Sequence, residues 1–377
     1  MRLSPTLAGL RTYPFVRLTE AKRRLAAEGV DFVDFGMGEP REETPLFIRE
    51  ALAAAIEPLS GYPTADGLPE LRAAIAGWAE RRFGVVMDPH REIVPTLGSK
   101  EAIFGLAQVV GGELVAVPTP SYPVYERGAA FAGKALLELP LLAERGFLPD
   151  LDAVSPETWA RVGVLWLNYP NNPTAATATV DFYERAAALA REHDFVLASD
   201  EAYSELYFGD EPPVSALQVA DRTNVLVFNT LSKRSSMPGY RTGFAAGDPE
   251  VIAALRRYRP NVGTAPLEMV QRAAAVAWGD ESHVEEVRAR YRAKRDVLLP
   301  VLERGGLLSA GGDATFFLWL DAGPDAEALA QRLIEGGVIV TPGSYFGAAG
   351  EGFMRMALVP PLADCERAVS LLEQLLR

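Results

Sequence analysis

Between about residues 45 and 265 the sequence alternates between short apolar runs and longer segments whose apolar residues recur every three or four positions. The short runs, such as 162–167 and 225–228, predict buried strands, and the periodic segments predict amphipathic helices. Strands that alternate with helices form a mostly parallel sheet covered by helices on both faces. The sequence therefore predicts an α/β large domain over residues 45–265.

The two ends of the chain predict a second, smaller domain of the α+β class, made of residues 1–44 and 266–377. A long helix that carries many charges of both signs is expected at about 281–302. Residues 1 to about 17 contain Pro5 and Pro14, and they predict an arm rather than a helix. Strands of this domain are expected at 315–320, 338–341 and 353–358.

Several residues that could bind a ligand, through a side chain or a backbone N–H, come shortly after the predicted strands of the large domain. Right-handed crossovers bring the carboxyl ends of parallel strands to one edge of a sheet. Open α/β sheets bind their ligands at that edge. We therefore expect these residues to lie close together. They are Gly98, Ser99, Tyr122, Asn172, Asp200 and Lys233.

The stretch 229–244 combines Lys233 with two hydroxyl residues, Thr230 and Ser232, and with a second cation, Arg241. A lysine amine can form a Schiff base with an aldehyde cofactor when its neutral form is accessible. A nearby cation or partial burial lowers the pKa of an amine in that direction. The hydroxyls and the guanidinium are suitable groups to hold a phosphate dianion beside it.

Each of these residues also has a purely structural interpretation. Lys233 could be a solvated surface lysine, and Ser99 could cap a helix without binding a ligand. Tyr122 could be a packing aromatic on a loop, and Asp200 could cap whatever follows its strand. Single residues therefore do not decide the function.

Composition and charge narrow the class of protein. The net charge is −13, and there is no long basic block, which argues against nucleic acid as a partner. The single cysteine, Cys365, excludes an intramolecular disulfide and favours a reducing cytoplasm. The three histidines lack the spacing of metal ligands, so no metal site is expected. No apolar run approaches the roughly 18 residues of a membrane helix, and the first residues lack the apolar core of a signal peptide.

Taken together, the motifs resemble the class I and II aminotransferases of fold type I, which use pyridoxal 5′-phosphate. The resemblance extends from Gly36-Met-Gly-Glu-Pro40 to Phe353-Met-Arg355, with the family's motifs in the family's order. It implies a transaminase whose large domain has a mostly parallel, seven-stranded type of sheet between helices. It also implies small amino acid and 2-oxo acid substrates, and a homodimer with shared active sites.

The resemblance implies a role for each matching residue at the cofactor ring. Lys233 matches the lysine that attaches the cofactor and later moves a proton. Asp200 matches the carboxylate that pairs with the pyridine nitrogen. Tyr203 and Asn172 match the groups that hydrogen-bond the phenolic oxygen, and Tyr122 matches the aromatic residue stacked on the ring.

The phosphate and the substrate have their own matching residues. Arg355 matches the arginine that binds the substrate α-carboxylate, near the Gly38 backbone and Asn172. Tyr62 matches a tyrosine that reaches the phosphate of the neighbouring subunit. The remaining phosphate-binding positions are Gly98, Ser99, Lys100, Thr230, Ser232 and Arg241. Two positions depart from the family pattern, namely Ala175 in place of glycine and Tyr240 in place of tryptophan.

Within the family, residues 38–45 and 98–101 are similar to succinyldiaminopimelate transaminases of lysine synthesis, which implies glutamate as the amino donor. Alternatives are an aspartate, alanine or aromatic aminotransferase and a carbon–sulfur β-lyase. A cofactor-binding transcription regulator is a further alternative from another class. Candidates for binding a distal substrate carboxylate are Arg17, Arg41 and Arg234.

Overall fold

The computed structural model describes residues 1–10 and 15–377. The α-helices are α1 (Pro5–Gly9), α2 (Val16–Ala27), α3 (Leu46–Ala54), α4 (Pro69–Phe83), α5 (Gly98–Val109), α6 (Val124–Phe131), α7 (Pro156–Trp159), α8 (Val180–His193), α9 (Leu231–Arg234), α10 (Pro249–Tyr258), α11 (Glu268–Gly279), α12 (Ser282–Arg304), α13 (Ala326–Glu335) and α14 (Leu362–Leu375). The strands are β1 (Val33–Asp34), β2 (Ile93–Thr96), β3 (Leu114–Thr119), β4 (Ala135–Pro140), β5 (Val162–Leu167), β6 (Val196–Asp200), β7 (Val225–Thr230), β8 (Gly243–Gly247), β9 (Leu308–Ser309), β10 (Phe317–Asp321), β11 (Val338–Ile339), β12 (Thr341–Pro342) and β13 (Phe353–Ala357).

Seven strands form the central sheet, in the spatial order β2-β8-β7-β6-β5-β3-β4. All neighbouring pairs are parallel except those that involve β8, which runs antiparallel to both β2 and β7. A parallel pair requires a crossover of about a dozen residues or more, usually with a full helix. The connection between β7 and β8 contains only the four-residue helix α9 and a short 3₁₀ turn, so the chain returns antiparallel. The predicted mostly parallel α/β sheet is confirmed.

Both faces of the central sheet are covered around its inner strands, which are buried along nearly their whole length. Every residue of β5 and β7 is buried. On one face Trp166 stacks on Tyr125, with ring centres 4.8 Å apart. On the other face Trp78 lies against Trp278 at 4.7 Å and against Phe244 at 5.8 Å. These two layers hold the strands rigidly, and the strand ends therefore form a fixed platform.

A smaller antiparallel sheet, in the order β12-β13-β10-β9, is formed by the C-terminal part of the chain. Strand β1 pairs in parallel with β11, and this pairing ties the N-terminal region to the C-terminal one. Helix α12 packs against α14 beside this sheet. The proposed domain boundaries at residues 45 and 265 stay a prediction.

The prediction for the N-terminal arm is wrong at residues 5–9, which form helix α1. Pro5 occupies the first turn, where its missing N–H costs nothing, and Ser4 caps the helix by accepting from the Leu7 N–H at 3.3 Å. Pro14 lies outside the described residues. Residues 30–35 alternate between apolar and polar side chains like a strand, yet within them only Val33 and Asp34 find a partner strand. In residues 1–10 and 15–377, no helix combines the length and the apolar character needed to cross a membrane.

Candidate active site

A cavity of about 520 Å³ opens where the carboxyl ends of the parallel strands approach the smaller sheet. It contains twelve of the residues that the sequence assigns to the site. They are Gly38, Ser99, Lys100, Tyr122, Asn172, Asp200, Tyr203, Thr230, Ser232, Lys233, Arg241 and Arg355. Gly98, the first residue of α5, precedes Ser99 but does not itself line the cavity, and neither does Tyr62.

Lys233 occupies the short helix α9, directly after β7, and its half-buried side chain reaches into the cavity. The Nζ atom donates a hydrogen bond to the carbonyl oxygen of Gly38 at 2.6 Å. It also lies 5.3 Å from the ring centre of Phe316. The amine is therefore held in one position between the large sheet and the N-terminal segment.

The environment of Lys233 lowers the pKa of its amine to about 7. Burial is the main cause, because water no longer stabilises the charged form, and the positive charge of Arg355 adds to the effect. The charge of Glu39 opposes it. Near neutral pH a substantial fraction of the amine is therefore unprotonated and able to act as a nucleophile or base.

Asp200 ends strand β6 with its side chain only 5% exposed. Its Oδ2 accepts a hydrogen bond from the Tyr125 hydroxyl at 2.8 Å, and its Oδ1 accepts from the Ala202 N–H at 3.3 Å. Burial raises the pKa of Asp200 to about 6, although these hydrogen bonds and the charge of Lys233 favour the carboxylate. The carboxylate is thus a buried anion suited to a cationic ring nitrogen.

Arg355 projects from β13 across the cavity and is 3% exposed. Its Nη1 donates to Asn172 Oδ1 and its Nη2 donates to the Gly36 carbonyl, both at 2.8 Å. The Asn172 N–H in turn donates to Asn168 Oδ1 at 2.9 Å. This chain of hydrogen bonds fixes the plane of the guanidinium, whose fork of donors suits a carboxylate.

Aromatic rings surround the same guanidinium. The Arg355 Cζ atom lies 4.3 Å from the ring centre of Phe317, 4.6 Å from that of Phe346 and 5.6 Å from that of Phe15. Cation–π contacts of this kind strengthen when water is excluded. The rings therefore hold the charge in place and keep its surroundings dry.

Hydroxyls and a helix N-terminus converge at the other end of the cavity. Ser99 lies in the first turn of α5, where N–H groups and the helix dipole favour an anion. The hydroxyl oxygens of Thr230 and Ser232 lie 2.9 Å apart. The Arg241 guanidinium closes the group by donating to the carbonyl oxygens of Pro238 at 2.9 Å and Leu97 at 3.3 Å.

The approach of Arg241 to the start of α5 requires a glycine at position 98. A Cβ atom on Gly98 would lie 2.5 Å from Arg241 Nη2, and the φ angle of Gly98 is +65°. Gly38 is similarly constrained, because a Cβ atom there would lie 2.7 Å from Phe317 Cζ. The resulting set of hydroxyls, amides and a guanidinium fits a phosphate dianion. In the same cavity, Asp200 can bind a cationic ring nitrogen and the amine of Lys233 can react with an aldehyde.

Other predicted residues have different surroundings. Ala175 has a φ of 59°, so the departure from glycine places alanine in the left-handed region, yet the Asn172 side chain still reaches the cavity. Tyr122 forms a cavity wall, and its ring centre is 5.6 Å from Lys100 Nζ. Tyr203 also forms a wall, and burial raises the pKa of its phenol.

The three arginines considered for a distal carboxylate do not form the cavity wall. Arg234 is buried and pairs with Glu281 at 2.8 Å. Arg41 pairs with Asp34 at 2.9 Å, and Arg17 is exposed. Sequence spacing could not show this, because which side chains line the cavity depends on how the surrounding elements pack.

Some residues at the site had no predicted role. Tyr125 is the most important, because it is the side-chain partner of Asp200. It is the second residue of α6, directly after Pro123-Val124. The one sequence signal that could have indicated its burial is the helical spacing of apolar residues in that segment. The other residues of this kind are Phe15, Met37, Glu39, Asn168, Ala202, Pro238, Phe317 and Phe346.

Comparison with known proteins agrees with this geometry. The profile of the family described as aminotransferase class I and II matches residues 30–372. An LL-diaminopimelate aminotransferase of Nitratidesulfovibrio vulgaris (strain DP4) is 40% identical over 99% of both chains. A crystal structure of an aminotransferase from Neisseria meningitidis Z2491 is 36% identical, with a TM-score of 0.92 over 100% of both chains. A structure of a probable N-succinyldiaminopimelate aminotransferase from Thermus thermophilus is 32% identical, with a TM-score of 0.87 over 96% of this chain and 99% of that one.

The family profile covers far more than half of the chain, and the similar structures share its fold. Members of this family use pyridoxal phosphate, which the donor groups of the cavity fit. The predicted fold class, cofactor and transaminase activity are therefore confirmed. The chain belongs to the class I and II aminotransferases of fold type I and is a pyridoxal phosphate-dependent transaminase.

Proposed function

We propose that this transaminase exchanges an amino group between LL-diaminopimelate and the glutamate/2-oxoglutarate couple. The observation that carries the proposal is the 40% identity, over nearly the full length, with a protein named LL-diaminopimelate aminotransferase. The N-succinyl derivative that the sequence motifs predict is the second candidate. It is supported by the 32% identity to the Thermus thermophilus protein with that name.

The proposed roles follow from what each residue of the chain can do. Arg355 binds the substrate α-carboxylate, because its guanidinium is oriented by Asn172 and desolvated by aromatic rings. Lys233 attaches the cofactor and then takes up or returns the proton of the substrate Cα, because the pKa of its amine lies near neutrality. The cavity thus positions a proton carrier beside a bound amino acid.

The cofactor-binding residues divide into two groups. Asp200 holds the ring nitrogen, Tyr203 and Asn172 hold the phenolic oxygen, and Tyr122 faces the ring. The phosphate is held by Gly98, Ser99, Lys100, Thr230, Ser232 and Arg241. When bound, pyridoxal phosphate supplies an aldehyde that accepts the amino group and a ring that takes up the electrons left on Cα.

A panel of amino donors tests the proposed substrate. With 2-oxoglutarate as acceptor, we expect LL-diaminopimelate to give glutamate with the highest kcat/KM. The panel includes N-succinyl-LL-diaminopimelate, aspartate, alanine and phenylalanine. A higher kcat/KM for the N-succinyl compound would favour the second candidate, and a higher value for any of the last three would reject both. Release of pyruvate from cystathionine, without release of 2-oxoglutarate from glutamate, would identify a carbon–sulfur lyase instead.

The predicted homodimer with shared active sites rests on Tyr62. This side chain is 101% exposed in the single chain, so it does not pack on its own domain. Ile56 and Leu59, on the same segment, are 62% and 88% exposed. Exposed apolar side chains on one segment favour contact with another protein surface. We propose that a second copy covers this segment and that its site receives Tyr62.

Mixing two variants tests this arrangement. Tyr62→Phe is expected to weaken retention of the cofactor by about 1.5–3 kcal/mol, the worth of a hydrogen bond to a charged group. A heterodimer of Tyr62→Phe and Lys233→Ala subunits has one site with both defects and one with neither. At a cofactor concentration that leaves both parents nearly inactive, the mixture should therefore regain activity. An active monomer in sedimentation, or a mixture no more active than its parents, would contradict the proposal.

A further inference from the structure

We infer that His283 is a positioning residue for the transaminase reaction. Through Ser235 it holds the short helix α9 in place, and it thereby sets the position of the Lys233 amine. The inference is independent of the proposed substrate and rests only on the proposed role of Lys233. His283 lies outside the described wall of the cavity, so its effect on the reaction passes through contacts within the fold.

Helix α9 has only four residues, and its position therefore depends on its surroundings. A single helical turn fixes several residues for one hydrogen bond, so an isolated turn is unstable in water. At the start of α9, the Thr230 hydroxyl accepts a hydrogen bond from the Ser232 N–H at 3.2 Å. At its end, the fully buried Ser235 is bonded to His283. Lys233 lies between these two ends, so both ends determine where its amine lies.

Ser235, His283 and Asp280 form a chain of hydrogen bonds. Ser235 Oγ lies 2.8 Å from His283 Nε2, and His283 Nδ1 lies 2.7 Å from Asp280 Oδ1. A carboxylate only accepts, so Nδ1 carries the proton, and in the neutral ring Nε2 accepts from the Ser235 hydroxyl. Burial lowers the pKa of His283 and keeps its ring neutral near pH 7, although the bond to Asp280 opposes this shift. Asp280 therefore selects the tautomer that Ser235 needs.

The same three residue types form the catalytic triad of hydrolases, but here they cannot act as one. Ser235 is 0% exposed and His283 is 4% exposed, so no substrate reaches the hydroxyl. The chain of hydrogen bonds leads instead to the backbone of α9, because the Ser235 N–H donates to the Leu231 carbonyl at 3.0 Å and closes the helical turn. The arrangement is therefore suited to holding α9 and not to a second reaction.

The junction between α11 and α12 anchors this chain of hydrogen bonds. Asp280 Oδ1 also accepts the backbone N–H of His283 at 3.1 Å. Arg234, the residue after Lys233, donates to the carbonyl oxygens of Ala277 at 2.8 Å and Asp280 at 3.0 Å. The two residues that directly follow Lys233 are thus both bound to one junction, and a change at this junction is passed on to the amine.

Two substitutions of His283 separate its two hydrogen bonds. The side-chain amide of His283→Asn can still donate to Asp280 but is too short to reach Ser235. The longer side chain of His283→Gln can place an amide oxygen where Nε2 lies. In His283→Asn we expect kcat to fall about 10- to 100-fold, the cost of a misplacement of about 1 Å, with KM for the amino donor within about threefold of the wild type. His283→Gln should recover most of the lost rate.

The matched control is His193→Asn. His193 ends α8, lies outside the cavity wall and makes a ring contact with its neighbour Glu192 at 3.9 Å. This variant should leave kcat and KM unchanged.

Capture of pyridoxal phosphate by the apoprotein gives a readout besides turnover. Burial is the main reason for the lowered pKa of the Lys233 amine, so an α9 that moves admits water and raises this pKa. In His283→Asn and in Ser235→Ala, the midpoint of capture should therefore move to higher pH by at least about 0.5 units. These variants leave unchanged the charged groups that act on the amine, which are Arg355, Glu39, Arg241 and Asp200.

The outcomes separate this inference from the role of Lys233. If Lys233→Ala keeps the visible absorbance of the lysine-bound cofactor, the role of Lys233 and the inference fail together. If Lys233→Ala loses it, but His283→Asn and Ser235→Ala keep the wild-type midpoint, the inference alone is wrong, whatever their kcat. A His283→Gln variant as impaired as His283→Asn would also overturn it. Ser235→Ala removes a single oxygen atom and keeps the test decisive if His283→Asn does not fold.

Discussion

Replacing Lys233 by alanine is expected to lower kcat by more than about 10⁴-fold, the upper end of what one positioned acid–base group contributes. The reason is that the proposed roles of attachment and proton transfer both belong to the same amine. The visible absorbance of the lysine-bound cofactor should disappear as well. Activity within tenfold of the wild type, with the variant fully purified, would show that another residue carries these steps.

A control variant and a rescue experiment test whether the loss of activity in Lys233→Ala is due to the missing amine. Lys134→Ala removes a lysine that lies outside the cavity and should leave kcat unchanged. A small primary amine such as ethylamine should restore part of the lost rate of Lys233→Ala, because it can replace the missing base in the space left by the side chain. Rescue would show that the defect is chemical rather than a failure to fold.

The pH dependence of Lys233 offers a further check on its environment. The neutral amine is the reactive form, and its pKa is lowered to about 7, so capture of pyridoxal phosphate by the apoprotein should rise as the pH increases through about 7. Arg355 lowers this pKa through its positive charge. In Arg355→Met the midpoint should therefore move to higher pH. A midpoint near 10 in the wild type would contradict the environment described for this amine.

Replacing Asp200 by alanine is expected to cost about 3 kcal/mol or more of transition-state stabilisation, or at least about 10²-fold in kcat. A buried carboxylate beside the ring nitrogen keeps that nitrogen protonated, and the protonated ring accepts electrons best. Asp200→Asn, which keeps the shape and removes the charge, should show a loss of similar size. Glutamate-driven turnover within tenfold of the wild type in both variants would reject this role.

Several of the site residues that the sequence predicts are fixed by strand ends. Asp200 ends β6, whereas Lys233 and Asn172 follow β7 and β5, and parallel strands bring their carboxyl ends to one edge. Tyr125 could not be found in this way. It lies inside a helix, and only the docking of α6 on the sheet shows that its hydroxyl reaches Asp200. The aromatic residues around Arg355 come from distant segments, so their contacts also depend on tertiary packing.

The elements of the fold also divide into those that the sequence predicts and those that it does not. Strands β5 and β7 were predictable because they are uniformly apolar and buried. Strand β4 was missed, because it lies at the edge of the sheet with most of its residues exposed or half-buried. Helix α1 was missed because its two neighbouring signals, Pro5 and a serine before it, are equally common in turns. Elements at the edge of a sheet or at a chain terminus bury few side chains, so the apolar periodicity that predicts secondary structure is weak in them.

The reversed direction of β8 restricts where the chain can change in length. In a parallel connection only the first half lies at the ligand edge, because the next strand starts at the opposite edge of the sheet. The connection from β7 to β8 starts and ends at the same edge, and it therefore supplies Ser232 and Lys233 at one end and Arg241 at the other. An inserted or deleted residue here would shift the amine relative to the guanidinium. Insertions and deletions, in evolution or in engineering, are better tolerated in the exposed turn at residues 209–212, between β6 and β7.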